Sequence, residues 1–405
     1  MKNNPMLLPF INLGHALDHL VMLIFPTVVL ALSRDLNRPY SELLPLALGG
    51  FIAFGVLGLP AGWLGDRWSR YKMMTVFFFG LGGALVLTGF AVETWQIAGG
   101  LTVLGMFAAI YHPVATAMIV ADPKVMGRVL GWNGLYGNLG LAFAAVVSGF
   151  LMDYYGWRTA FFVPGAICMA AGIGWLAWVK DPGAIIKTGK RGALHVDTRT
   201  MYRIILVLLV VTSCGGLIFN STTISMPKVF DERLTALTHT SLGIGLLVSM
   251  VYTIAAFSQV VIGPMIDKHD LRTLLLPIAL CQVVLLFAAS QLEGWALLVV
   301  AVLMMLAVFG QIPLNDAIVG RYTPDEYRSR VFAVRYLVTF GVASMAVPMI
   351  SHFHKTSGFR SVFMLLGALA ALTLVASFFF PGRAALKRQS AMMTPPVQPA
   401  QPLQA

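Results

Sequence analysis

Charge is scarce in this chain: Asp, Glu, Lys and Arg supply 11% of its 405 residues, where a soluble domain carries roughly 25%. With 58% of the residues apolar and a mean hydropathy of +0.80, that shortage excludes a soluble enzyme, a disordered hub and a nucleic-acid binder. Cysteine is also sparse. Cys168, Cys214 and Cys281 lie in apolar stretches at no metal-ligand spacing, which excludes a disulfide framework and a cysteine zinc site. His-Glu-x-x-His, Gly-x-Ser-x-Gly and Gly-x-x-x-x-Gly-Lys-Ser/Thr are absent as well. The chain is therefore expected not to be an enzyme, not to drive its own chemistry with ATP, and to need neither cofactor nor metal.

What is present is apolar runs of about 20 residues, each long enough to cross a hydrocarbon layer ~30 Å thick at 1.5 Å per residue. Twelve recur, over 7–32, 42–64, 73–92, 95–120, 127–151, 159–179, 203–228, 240–262, 273–290, 295–319, 331–351 and 361–380. Backbone amides in lipid must pair within their own segment, and the runs lack the alternation of barrel strands, so the fold class is all-α membrane with twelve transmembrane helices. The net charge of +11 comes from basic residues in the short loops between runs. Of the 28 Lys and Arg, 21 fall on the side that holds both termini. The positive-inside rule then puts the termini in the cytoplasm of a bacterial cell whose inner membrane the chain spans. The start resembles a retained helix more than a cleaved signal.

The halves repeat at an offset of about 201 residues. Gly62-Trp-Leu-Gly-Asp66-Arg67 recurs as Gly263-Pro-Met-Ile-Asp267-Lys268, and Gly156-Trp157-Arg158-x-x-Phe161 as Gly358-Phe359-Arg360-x-x-Phe363. Pro113 and Pro123 are echoed by Pro313 and Pro324. The expected organisation is an N-terminal six-helix bundle over 1–180, a basic linker over 181–202, a C-terminal six-helix bundle over 203–382 and a disordered, proline-rich tail over 383–405.

Gly62-Trp-Leu64-Gly-Asp66-Arg67-Trp-Ser69-Arg70-Tyr71 resembles the signature between helices 2 and 3 of the major facilitator superfamily, with Ser69 where that family has Gly. The resemblance covers the whole chain. It implies a secondary transporter with two pseudo-symmetric bundles, and a cytoplasmic gate in which Gly62, Asp66, Arg67 and Arg70 stabilise the outward-facing state. Asp267 repeats Asp66. Asp316, able to pair with Arg321 or Arg335, is read as part of the same gate. The plainer alternative is that Arg67, Arg70 and Lys72 only retain the loop on the cytoplasmic side.

Ionisable groups at mid-membrane depth are costly and normally face a cavity or a partner. Helix 1 carries His15-Ala-Leu-Asp18-His19, whose spacing puts all three on neighbouring positions of one face, with Asp18 ~18 Å from the helix start. His112 of helix 4 lies ~15 Å in. A carboxylate among imidazoles suits a proton relay, so Asp18, His15, His19 and His112 are assigned to proton coupling, Asp18 first. Two other readings stay open: an internally bonded Asp–His pair that joins helices, and a divalent-metal site on the same residues.

Further polar groups inside helices are Tyr111, Asn133, Tyr136, Asn138, Asn220, Tyr252, Gln311 and Asn315. The resemblance puts helices 1, 4, 7 and 10 around the cavity, which favours Asn220, Gln311 and Asn315 as hydrogen-bond partners of cargo. Tyr111-His112-Pro113 and Gly134-Leu-Tyr-Gly137-Asn138-Leu-Gly140, with the helix-1 motif, are similar to fosmidomycin-resistance efflux proteins. That implies proton-coupled efflux of a drug-like or metabolite compound, with a proton-coupled importer or a metal or metal-chelate transporter as alternatives. The expected partners are a small-molecule substrate, protons and the lipid bilayer, with no nucleic acid, and the chain is expected to act as a monomer.

Overall fold

The computed structural model describes residues 4–119, 126–181, 198–322, 341–342 and 344–382. Among them every regular element is helical. In chain order these are α1 (Leu7–Met22), α2 (Ile24–Asp35), α3 (Tyr40–Leu43), a 3-10 turn (Leu44–Ala47), α4 (Leu48–Arg67), α5 (Arg70–Gly89), α6 (Thr94–Ala108) and α7 (Tyr111–Ile119). The chain continues as α8 (Met126–Tyr155), α9 (Thr159–Trp178), α10 (Thr198–Arg233), α11 (Ser241–Lys268), α12 (Leu271–Ala289), α13 (Gly294–Tyr322) and α14 (Ala346–Phe378). Among the described residues eleven spans are long and apolar enough to cross a membrane. The last of them, Ala346–Phe378, is two helices joined at Gly358, whose φ of 65° no helix interior adopts. Most of the expected span 331–351 and the tail over 383–405 lie outside the described residues.

Two runs expected as single helices are broken, and proline explains both. Pro26 has no amide to donate to the carbonyl of Met22, and its ring crowds that carbonyl, so α1 ends at Met22 and α2 begins at Ile24. Pro113 acts in the same way on Ala109, dividing the expected helix over 95–120 into α6 and α7. Both breaks lie at the depth of the polar residues. They turn the ends of α1 and the first turn of α7, with His112, toward one another. In contrast α8, with no proline, runs unbroken for 30 residues. Proline does not break every helix: α10, with Pro227 inside, runs for 36.

The repeat is visible in the backbone. α4 ends at Arg67 and α11 at Lys268, while α5 starts at Arg70 and α12 at Leu271. Gly156 (φ 85°) and Gly358 (φ 65°) both take the left-handed conformation, and each is followed by a buried aromatic, Trp157 or Phe359. Ser69 starts α5 as its N-cap, its hydroxyl accepting the Lys72 amide at 3.3 Å.

Helices of each half pack mainly on one another, α5 on α9 and α1 on α8 in the first half, α12 on α14 and α11 on α13 in the second. α8 and α11 form the main seam between halves. Lipid tails are as apolar as leucine, so close packing rather than water exclusion holds such helices together, and small residues permit it. A Cβ on Gly245 would stand 2.5 Å from the Ala145 carbonyl oxygen, and one on Gly149 would collide with the Ser241 carbonyl. In the first half Gly140 lies directly against the backbone of Ala16 on α1. Large apolar side chains such as Leu87, Trp95, Leu206 and Trp295 stay exposed, as a lipid-facing surface requires.

Gly140→Val should force α1 off α8 and cost about 1–3 kcal/mol, the usual range for overpacking. The check is thermal unfolding in detergent, where Gly134→Ala, with open space around its Cβ position, should melt like the parent.

Candidate functional site

α1 turns His15, Asp18 and His19 to one side, where the first turn of α7 supplies Tyr111 and His112. One ring nitrogen from each of His15, His19 and His112 lies within 4.8 Å of the other two. The Nε2 atoms of His19 and His15 are 3.1 Å apart. His112 Nε2 stands 3.5 Å from Asp18 Oδ2, and the Asp18 side chain is fully buried. Neither Asp18 oxygen accepts a hydrogen bond among the described residues. The four residues singled out from sequence therefore do converge.

A second layer fixes them. His15 Nδ1 donates to the backbone carbonyl of Asn133 on α8 at 2.7 Å. The Asn133 amide donates to Tyr111 Oη at 2.9 Å and to Asn12 Oδ1 at 3.0 Å, and Tyr111 Oη donates to the Ile11 carbonyl at 2.9 Å. The Tyr111 ring stacks on His15, with centroids 4.9 Å apart. Gly137 leaves the room that the His15 ring fills, since a Cβ there would lie 2.6 Å from Nε2. Asn133 and Tyr111 thus spend their polar atoms on holding the histidines. Asn12 was not recognised in the sequence, where it reads as one polar residue before the histidine motif. Tyr136, one position from Gly137, is exposed, and Asn138 is half-buried.

The second half has an amide cluster at the crossing of α10, α12 and α13. Gln282 Nε2 donates to Gln311 Oε1 at 2.7 Å, and Gln311 Nε2 reaches the Val211 carbonyl at 3.4 Å. Gln282 Oε1 and Asn315 Oδ1 are buried with no hydrogen-bond partner among the described residues. Gln282 was missed because one Gln in an otherwise apolar helix carries no local signal. Asn220 bonds back to the Gly216 carbonyl of its own helix at 2.9 Å. Tyr252 joins α11 to α10 through the Thr223 carbonyl at 3.0 Å.

At one face of the membrane lies the signature loop. Arg70 pairs with Asp66 at 2.5 Å and donates to the Ala117 carbonyl of α7 at 3.4 Å, while Arg67 covers the Trp63 ring at 4.7 Å. Gly62 allows α4 to approach Pro113, to which a Cβ would stand 3.0 Å away. These ties fasten the loop to α7, the helix that carries His112, inside the first half. The side chains of Asp267 and Asp316, and the whole of Arg335, lie outside the described residues.

The opposite face holds a network the sequence did not announce, because its members are far apart in the chain. Arg34 of α2 reaches Asp231 of α10 at 3.5 Å, and Lys228 bonds Asp231 at 2.7 Å and Glu232 at 3.5 Å. His354 of α14 meets Glu232 at 2.9 Å, and Ser351 donates to the Ser41 carbonyl at 2.5 Å. Tyr40 lies between the His354 ring and the Lys228 ammonium. Asp153, at the end of α8, accepts the backbone amides of Ser241 and Leu242 at 3.3 and 2.6 Å, capping α11 across the seam. Arg34–Asp231, Ser351–Ser41, the Tyr40 contacts and Asp153 join the two halves and close this face, while Lys228 and His354 hold Glu232 within the second half.

Two similar helical halves around a polar waist, closed at one face among the described residues, have the architecture of a secondary transporter. The family described as Major Facilitator Superfamily matches residues 12–238 and 234–404, and the chain belongs to it. It is a multi-pass inner-membrane transporter of small molecules, not an enzyme. Multidrug resistance protein MdtG of Escherichia fergusonii is 23% identical over 78% of this chain and 79% of its own. The multi-drug resistance efflux pump PmrA homolog of Lactococcus lactis is 26% identical over 70% and 71%. The match to puromycin resistance protein pur8 of Streptomyces alboniger, 29% identical, spans 41% of this chain and 31% of that protein. Among solved structures, the inward-open xylose transporter XylE from E. coli superposes with a TM-score of 0.77 at 14% identity, covering 95% and 98%, and a D-xylose-proton symporter with 0.75 at 14% identity, covering 92% and 96%.

Asp231→Asn, which removes the charge that Arg34 of the first half meets, should weaken the closed face by about 1 kcal/mol, the scale of a part-exposed charge pair, which corresponds to about a fivefold shift toward the open state. In a Cys281→Ser background with Asn220→Cys added, the rate of modification by a membrane-impermeant thiol reagent from that face should rise by that factor.

Proposed function

We propose that this chain exports a small drug-like or metabolite compound by alternating access, driven by inward movement of protons. The observation that carries the reading is the closure of one face by contacts between halves, above polar groups held at mid-depth in each half. Both termini belong to the face rich in Lys and Arg, which is the cytoplasmic one. The closed Lys228 face is then the outer one, and the arrangement is inward-facing, ready to take cargo from the cytoplasm. Export is supported by the names of the relatives from Escherichia fergusonii and Lactococcus lactis, and proton coupling by that of a structural neighbour, the D-xylose-proton symporter.

Within this reading the bundles are 1–180 and 203–382, joined by 181–202, and one chain suffices for transport. Cargo meets the amide cluster: among the described residues the buried Gln282 and Asn315 oxygens have no hydrogen-bond partner, so a donor on the cargo gains a bond there. Tyr111, Asn133 and Tyr252 hold the walls, since their polar atoms are already bonded to neighbouring helices. Asp66, Arg67 and Arg70 brace the cytoplasmic end of α4 against α7 and form the inner gate when the halves rock the other way.

A thermal-shift screen of the purified chain against antibiotics, dyes and organic acids should yield a stabilising compound. Everted vesicles carrying the chain should then accumulate that compound on energisation and release it on addition of a protonophore. Accumulation that persists after the proton gradient is collapsed would refute the coupling, and a hit that never crosses would refute transport.

A further inference from the structure

The three histidines are arranged as ligands to a metal ion, and we propose that His15, His19 and His112 bind a divalent first-row transition metal, with Asp18 as the carboxylate that orients His112 and balances the charge. Four observations support this. The ring nitrogens already lie within 4.8 Å of one another, and the His15–His19 pair at 3.1 Å nearly matches the separation of about 3.3 Å between two ligands bonded tetrahedrally at about 2.0–2.1 Å. Two histidines four residues apart on a helix present their rings to one point.

The tautomer is the second observation. A carbonyl can only accept, so Nδ1 of His15 carries the proton it gives to Asn133, and in the neutral ring Nε2 is left with a lone pair directed at the other imidazoles. A bond from the distal ring nitrogen to a backbone carbonyl is the usual support of a metal-bound histidine. Third, Asp18 is wholly buried, its oxygens accept no hydrogen bond among the described residues, and it faces His112 Nε2 at 3.5 Å. A carboxyl group so placed takes a proton or meets a cation. A divalent ion held by His112 supplies one, in the carboxylate–histidine–metal order that strengthens the ligand.

The fourth is rigidity. Tyr111, Asn133 and Asn12 bond the ligand helices to one another and to α8, so the ordering cost is met before an ion arrives. Imidazole donors select Zn²⁺, Co²⁺, Ni²⁺ or Cu²⁺ over Mg²⁺ and Ca²⁺. Three protein ligands leave a fourth position open. Every ligand belongs to α1 or α7 of the first half, so the ion does not clamp the halves together.

The test uses the full chain in detergent, stripped with a chelator and titrated calorimetrically with Zn²⁺ and, separately, with Co²⁺ followed by its visible d–d absorption. One equivalent should bind, Co²⁺ should give the intense bands of a tetrahedral site, and excess Mg²⁺ should not compete. His19→Gln and His112→Gln should each weaken binding at least tenfold, whereas His352→Gln with His354→Gln should leave it unchanged. Melting curves confirm that each variant is folded, and a misfolded one is replaced by His19→Asn or His112→Asn. Absence of saturable binding, or binding unmoved by the His19 and His112 variants, overturns the proposal. Binding is read without gradient or cargo, so a failure of export leaves this result standing, and a failure here leaves export standing.

Discussion

A carboxylate at mid-membrane depth is the constraint around which the first half is built. Removing a charged group from water costs several kcal/mol unless something compensates it, and Asp18 has no donor of its own beyond the imidazole 3.5 Å away. Its surroundings follow from that demand. Two helix breaks bring α1 and α7 to the same depth, a glycine on α8 makes room for an imidazole, a tyrosine and two asparagines bond α1, α7 and α8 to one another, and the Asn133 carbonyl holds His15. In the second half neutral amides, Gln282, Gln311 and Asn315, gather at the crossing of α10, α12 and α13.

The two faces are secured differently. At one end the signature loop is bonded inside its own half, to the helix that carries His112, so a change at the centre has a direct mechanical path to the loop. At the other end bonds run between halves, from Arg34 to Asp231, from Ser351 to Ser41 and from Asp153 to the start of α11. Ties of this second type must break for the halves to rock, and each is weak enough to do so because its members are partly hydrated. The glycine seam between α8 and α11 provides the smooth surface on which that motion takes place.

Much of the fold was legible in the sequence because bilayer thickness fixes helix length, and lipid allows no unpaired backbone. The repeat was legible because Gly156 and Gly358 stand where only glycine tolerates the backbone turn, and the helix ends at Arg67 and Lys268 keep the same register. The breaks at Met22 and Ala109 were not expected: a proline in an apolar run reads as tolerated, and whether it bends or severs a helix depends on what packs against the freed carbonyl. His15, Asp18, His19 and His112 were found because ionisable groups in apolar helices are conspicuous. Asn12, Gln282 and the network at the Lys228 face were not, since neutral amides and charges at helix ends look ordinary until the chain is folded.

Asp153 secures α11 through main-chain amides, not through a side chain. Substitution at Ser241 or Leu242 therefore leaves the acceptor's partners in place, provided no proline is introduced, whereas loss of the carboxylate removes both bonds at once. The tie is tolerant to sequence drift on one side and dependent on a single residue on the other. Variation among related chains should accordingly be free along the start of α11 and narrow at the tip of α8.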